Sequence, residues 1–238
     1  MNLILTMAGR YTRFINEGYR IPKYLLPWGD HSILREIIRE LTKGGEFKNI
    51  YLVANKRDVI YMPHVRKVLK GLGIPEDNLF LISDTSGQTE TAYQGVQDIQ
   101  NKFGEVEGPI VFHNIDTILY GRDFKDLSRI LDEYDGFVDI FESSNHNYSY
   151  VLMKDEVVDT IAEKIVISDK ASSGLYGFPS VAKFLEYYGP EELYMSHLYQ
   201  KMIKNGARIT VSDMHTEKDT VVLGTPSEYL TNAYILDL

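Results

Sequence analysis

Cysteine is absent from all 238 residues, so neither a disulfide frame nor a cysteine-ligated zinc site can be built. No apolar run approaches the roughly 20 residues that a membrane-spanning helix needs. The N-terminal stretch MNLILTMAGR has no basic lead-in and too short an apolar run for a secretory signal. A soluble, cytoplasmic protein is expected. Positive charge is also in short supply. Lys and Arg total 25 against 34 Asp and Glu, and a net charge of −9 argues against binding nucleic acid or an anionic membrane. Neither the G-x-x-x-x-G-K-[ST] phosphate loop nor the G-x-G-x-x-G dinucleotide fingerprint occurs. The six histidines show no metal-ligand spacing, and no serine sits in a nucleophile-elbow context.

What is present is a chain that is 44% apolar, without repeats or low-complexity tracts. Strand-like and helix-like segments alternate, which predicts a single α/β domain with crossover helices. Residues 2–8 read as a buried strand, followed by a polar loop through Pro22. Residues 31–43 form an amphipathic helix, with Ile33, Leu34, Ile37, Ile38 and Leu41 on one face and Gly44-Gly45 at its end. Strands are expected at 50–54, 79–83 and 109–113, and a helix over 57–71. A further helix carries Ala92, Val96, Ile99 and Phe103 on its inner face. The second half predicts strands at 136–142, 149–154, 157–163 and 173–178, helices near 180–187 and 190–204, and a last helix from Pro226.

Four segments concentrate chemistry. Met7-Ala8-Gly9-Arg10-Tyr11-Thr12-Arg13-Phe14 leaves the first strand at the carboxyl edge, where ligands bind in α/β sheets. Within the first 23 residues the local charge is +3, and Arg13 and Lys23 could meet an anion there; a solvated basic loop is the plainer alternative. Ser86-Gly87-Gln88-Thr89 opens a helix and reads either as a ligand loop or as an N-cap with Ser86 or Thr89 as the cap. Phe112-His113-Asn114-Ile115-Asp116 ends an apolar strand with a carboxylate, suited to a Mg²⁺–phosphate site or to an Asx-turn. Glu163-Lys164 ends another strand, as a substrate pair or as a surface ion pair. His113 reads as a packed strand residue.

These segments resemble the signature of the sugar-phosphate nucleotidyltransferase superfamily, A-A-G-x-G-[ST]-R-[LF] followed by P-K. The match lies at Ala8, Gly9, Thr12, Arg13, Phe14, Pro22 and Lys23, with Met7 and Tyr11 as departures. Asp159–Lys164, Ala171–Phe178 and Gly224-Thr225-Pro226 are similar to later motifs of the same superfamily. The likeness runs in order over residues 3–230.

The resemblance implies a Rossmann-like three-layer α/β/α sandwich with a mixed, mostly parallel sheet. Residues up to about 120 would form a nucleotide-binding half, and about 121–238 an acceptor-binding half. It implies an enzyme that moves a nucleotidyl group from a nucleoside triphosphate to a phosphorylated small molecule such as a sugar 1-phosphate, releasing pyrophosphate. A role in making activated polysaccharide precursors is part of that expectation. By resemblance Arg13 and Lys23 are catalytic. Ala8, Gly9, Arg10, Thr12, Gly87 and Gln88 bind nucleotide, Asn114, Glu163, Lys164 and Gly174 bind the acceptor, and Asp116 holds Mg²⁺. Val222 stands where a second metal carboxylate is expected, and Asp219 is a poor substitute for it, so Mg²⁺ is expected to enter with the triphosphate. A glycosyltransferase of related fold and a non-catalytic nucleotide sensor remain open. So do the identity of the base, that of the acceptor, and assembly into a homo-oligomer.

Overall fold

The structure is a computed structural model describing residues 1–236, with the backbone alone for 234–236. In chain order, β1 (Asn2–Met7) and a five-residue α1 (Thr12–Asn16) precede β2 (Pro27–Trp28), β3 (His31–Ser32) and α2 (Ile33–Gly44). Next come β4 (Asn49–Asn55), α3 (Met62–Gly71), β5 (Leu79–Ile82), α4 (Gln88–Phe103), β6 (Ile110–Asn114) and β7 (Thr117–Leu119). The second half holds α5 (Leu127–Glu133), β8 (Gly136–Glu142), β9 (Ser149–Lys154), β10 (Val157–Glu163) and β11 (Lys170–Phe178). It closes with α6 (Val181–Tyr187), α7 (Met195–Lys204), β12 (Ile209–Val211), β13 (Thr220–Val222) and α8 (Pro226–Leu236).

One mixed nine-stranded sheet runs β10-β9-β11-β6-β1-β4-β5, with β8 paired to β11 and to β12. From β6 to β5 the neighbours are parallel, whereas β11 joins β6 and β8 antiparallel. Strand period explains the layers. On β1, Leu3, Leu5 and Met7 face α2, whose Ile33, Leu34, Ile37, Ile38 and Leu41 complete that core. Ile4 and Ala8 face the opposite core, with Ala92, Val96 and Ile99 of α4. Both faces are covered, so β1 is buried along its whole length.

The expected elements recur with shifted ends, and several short ones are new. The loop to Pro22 contains α1, and one 3₁₀ turn follows it at Lys23–Leu25. The helix expected over 57–71 is a 3₁₀ segment, Lys56–Tyr61, and then α3. The helix expected from 190 begins at Met195. Phe103 does not point inward. It is 46% exposed at the end of α4, against the rings of Tyr51 and Phe80, because Gly104 ends the helix there.

Outside the main sheet, β7 and β13 form a two-stranded antiparallel ribbon. A buried ion pair ties that ribbon to the sheet: Arg122 Nε stands 3.1 Å from both carboxylate oxygens of Asp139 on β8. The guanidinium also donates to the carbonyls of Tyr120 and Asp219 and to Thr220 Oγ1. Removing one partner of such a pair leaves an uncompensated buried charge, so Asp139→Ala is expected to cost about 3–5 kcal/mol of stability. Equilibrium urea unfolding checks this, and a loss below about 1 kcal/mol would remove the pair as an anchor.

Candidate active site

The first strand ends in a loop whose shape is set by a residue of the wrong type. Tyr11 sits at φ 37° and ψ 36°, the left-handed region that suits glycine, where the superfamily pattern has its second glycine. Such a backbone costs roughly 1–2 kcal/mol for an ordinary residue. The side chain supplies the compensation. Tyr11 Oη donates to Asp58 Oδ1 at 2.8 Å, and the Arg57 guanidinium stands over its ring at 5.3 Å. Burial, and then Asp58, push the phenol well above its ordinary value, so it stays a donor at neutral pH. Tyr24 Oη donates to the other Asp58 oxygen, and Arg57 donates to the carbonyls of Ala8 and Gly9. The loop thus keeps a glycine-type path without the glycine.

A cleft of about 640 Å³ opens beyond that loop, lined by Ala8, Gly9, Arg10 and Tyr11 on one side and Ser86, Gly87 and Gln88 on another. Asp84 stands at its edge, held by Asn55 Nδ2 at 2.8 Å and by Arg10 and Arg57. The Asn55 hydrogen bond foremost, with the two guanidiniums, keeps the Asp84 carboxyl below the usual carboxylate value. Sequence reasoning missed Asn55, Arg57, Asp58 and Asp84, because only the fold brings them beside the loop.

Neither Ser86 nor Thr89 caps α4. The N-cap is Gly87, and Glu90 reaches back to the Ser86 amide and hydroxyl. A Cβ at Gly87 would collide with the Leu193 carbonyl, so glycine is required by close packing. Thr89 N donates to that same carbonyl at 3.4 Å, and Met195 N donates to Gln88 Oε1 at 3.2 Å. Gln88 Nε2 donates to Asn114 Oδ1. Both ends of the Gln88 amide therefore have protein partners, and Gln88 forms part of a wall.

A second cleft, about 360 Å³, adjoins the first, and Gln88, Asn114, Asp116 and Tyr194 line both. Asp116 lies in the turn between β6 and β7, where its carboxylate accepts from Lys23 Nζ at 2.5 Å. Burial pushes Asp116 up, yet the Lys23 ammonium outweighs it and holds the carboxyl below its usual value. Glu163 is pinned by Ser149 and Ser196 hydroxyls and stands 3.4 Å from Lys164 Nζ. Lys164, at φ 57°, also lies over the Tyr194 ring at 4.7 Å. Gly174 is needed twice, by its φ of 89° and because a Cβ would come 2.5 Å from Asn114 Nδ2. Arg13 is exposed and lines the second cleft, not the first; Thr12 lines neither and begins α1. His113 is fully buried, its Nε2 2.8 Å from the Thr117 carbonyl, as a packed strand residue.

Among the described residues, no group of three or more His, Cys, Asp or Glu side chains is arranged to hold a metal. Two carboxylates do converge near Gly224. The position of a Gly224 Cβ lies 3.5 Å from Asp116 Oδ2, 3.5 Å from Glu228 Oε2 and 4.0 Å from Val222 Cγ1. A small hard cation suits that donor set, with water and phosphate filling the rest of its shell. Among the described residues, no helix is long and apolar enough to cross a membrane.

The fold is that of the sugar-phosphate nucleotidyltransferase superfamily. A nucleoside-diphosphate-sugar pyrophosphorylase from Vibrio cholerae is 25% identical with a TM-score of 0.85, over 98% of this chain and 99% of that one. An inositol-1-phosphate CTP transferase from T. maritima is 14% identical, with a TM-score of 0.72 over 99% and 93% of the two chains. A protein assigned as a glucose-1-phosphate thymidylyltransferase from Bacillus anthracis is 16% identical, with a TM-score of 0.76 over 99% and 94%. The last two, at such identities, speak to fold alone. No protein-family model and no curated protein matches the sequence.

Two outcomes are expected from this geometry. Tyr11→Phe loses a hydrogen bond to a buried carboxylate and should cost about 2 kcal/mol in urea unfolding; no loss would show that Asp58 does not hold the loop. Asp116, lowered by Lys23, adds stability that is full above the ordinary carboxylate range and is lost as pH falls through the folded value. Lys23→Met should therefore flatten the acid limb of the stability–pH curve, measured between about pH 3 and 6.

Proposed function

We propose that this chain transfers a nucleoside monophosphate from a nucleoside triphosphate to a phosphorylated small molecule, such as a sugar 1-phosphate, releasing pyrophosphate. One observation carries the reading: two clefts of substrate size meet at Asp116, which Lys23 holds from the larger one, and share a wall of Gln88 and Asn114. A transfer between two bound molecules needs such a junction, where the reacting groups meet without a covalent enzyme intermediate.

The triphosphate takes the larger cleft, against the loop from Ala8 to Tyr11, with its base toward the segment around Gly87 and Asp84. The acceptor takes the smaller cleft, its phosphate toward Lys164. An acceptor phosphate oxygen attacks the α-phosphorus, and the bond to the pyrophosphate oxygen breaks in line. Lys23 balances charge on the departing pyrophosphate from within the junction. Arg13 has no hydrogen-bond or ion partner among the described residues and faces the acceptor cleft from α1. Its guanidinium is free to follow the phosphates as the substrates close. A Mg²⁺ ion held at Asp116 supplies further charge neutralisation when bound.

The test is a panel of CTP, UTP, dTTP and GTP against phosphorylated acceptors, read by pyrophosphate release. One productive pair is expected. Arg13→Ala and Lys23→Ala should each lower its turnover on the order of 100-fold. Lys164→Ala should raise the acceptor KM and leave triphosphate affinity, measured by calorimetry, nearly unchanged. Binding of triphosphate without pyrophosphate release from any pair would favour a nucleotide sensor, and transfer from a ready-made nucleotide sugar would favour a glycosyltransferase.

A further inference from the structure

The second carboxylate expected at position 222 is absent, but the space it would serve is not lined by valine alone. Val222 ends β13, and the next residue donates its amide to the Asp116 carbonyl at 2.7 Å, which draws this segment against the Asp116 turn. Gly224 follows, and then α8 begins. Its first turn carries Glu228, whose Oε2 accepts from Thr225 Oγ1 at 2.9 Å, while Glu228 N donates to the same hydroxyl at 3.2 Å. That reciprocal cap fixes the Glu228 side chain on the face of α8 that lines the second cleft.

The result is a small space beside Gly224 that both carboxylates border. Asp116 Oδ2 and Glu228 Oε2 are each 3.5 Å from the place a Gly224 Cβ would occupy, so they lie within twice that distance of each other. Glycine leaves that space open, and any other residue would put a methyl group or more into it. Lys23 compensates Asp116 from one side, whereas Glu228 forms no ion pair among the described residues. Glu228 is instead felt by its neighbour: burial first, and its charge next, push the Tyr148 phenol up.

A second, independent feature of the same cleft also asks for a polar ligand. Ser173 is 3% exposed, lines this cleft, and its hydroxyl has no hydrogen-bond partner. Ser173 lines this cleft together with Asp116 and Glu228. A buried hydroxyl without a partner costs about 1–3 kcal/mol unless a ligand or water meets it.

We propose that Glu228 is the second protein carboxylate of a divalent-cation site, which it forms with Asp116 across Gly224. This rests on the transfer reading above, and it departs from the expectation of one carboxylate and a cation that arrives only with the triphosphate. Two carboxylates at one gap give the free protein its own affinity for the ion, while its remaining positions are left to water and phosphate oxygens. The acid has moved from the strand to the first turn of the following helix, where it also closes the helix cap.

Mn²⁺ is the probe, titrated into the full chain without nucleotide and followed by the paramagnetic resonance of the free aquo ion, with Mg²⁺ as competitor. Wild type is expected to bind Mn²⁺. Asp116→Asn and Glu228→Gln should each weaken it by at least the roughly tenfold that loss of even an outer-shell partner costs. Glu228→Gln keeps an oxygen for the Thr225 cap, so its thermal midpoint should stay at the wild-type value. Gly224→Ala should weaken binding by filling the gap. Val222→Asp, added to Glu228→Gln, should restore it, because position 222 faces the same space. Unchanged Mn²⁺ affinity in Glu228→Gln, with loss in Asp116→Asn, would overturn the role of Glu228 and leave the transfer reading intact. A higher acceptor KM in Glu228→Gln with unchanged Mn²⁺ affinity would likewise overturn it, and would make Glu228 an acceptor contact. If wild type binds no Mn²⁺ in the absence of nucleotide, the proposal fails; pyrophosphate release that needs added metal would then return the site to one carboxylate and a cation that enters with the triphosphate, and release without added metal would remove the cation.

Discussion

The buried contact between Arg122 and Asp139 is what the candidate site hangs from. Asp139 belongs to β8 in the main sheet, and Arg122 grips the β7–β13 ribbon through two carbonyls and a threonine hydroxyl. Because Thr117 pairs with Val222, that ribbon carries the Asp116 turn and Gly224 with the start of α8 side by side at one end. Two three-residue strands alone would be marginal; the ion pair adds to the apolar packing of Ile118, Leu119 and Leu223 in the core beside α2. The ion pair has no other evident use. Its desolvation is costly, and the stability it returns depends on its hydrogen bonds, here one or more from each guanidinium nitrogen.

The site above it is organised by charge more than by shape. A protein with a strong acidic excess brings Lys23 against Asp116, with Arg13 and Lys164 along the walls of the adjoining cleft. The acidic groups do not simply oppose them. Asp84 holds Arg10 and Arg57 at the outer edge of the larger cleft, and Asp58 fixes the tyrosines beneath the loop. Carboxylates therefore set much of the framework, and of these cations Arg13 alone has no partner among the described residues.

Much of the fold was legible because its long elements obey simple periods. The helix at Ile33–Gly44 and the strands around Leu3, Leu52 and Val111 follow from apolar spacing alone. The strands β7, β12 and β13 have three residues each, too few for any period to show. The expected start of α7 failed at Gly189-Pro190, since the segment up to Tyr194 instead lies across the mouth of α4. For the site, position was legible and contact was not. Lys23 and Asp116 are 93 residues apart, and nothing local announces that they touch. Glu228 was not singled out in the sequence: it completes a T-x-x-E pattern with Thr225 that suits a helix cap, and only the turn of α8 shows that the same carboxylate looks into a cleft.

The stitching between the start of α4 and residues 192–195 has a mechanical meaning. Gly87 abuts the Leu193 carbonyl, Thr89 bonds to Glu192 and Leu193, and Gln88 holds the Met195 amide. Tyr194, in the middle of that seam, lies under Lys164. Gln88 and Tyr194, which line both clefts, are thus stitched into one girder, and a displacement of one wall is carried into the other.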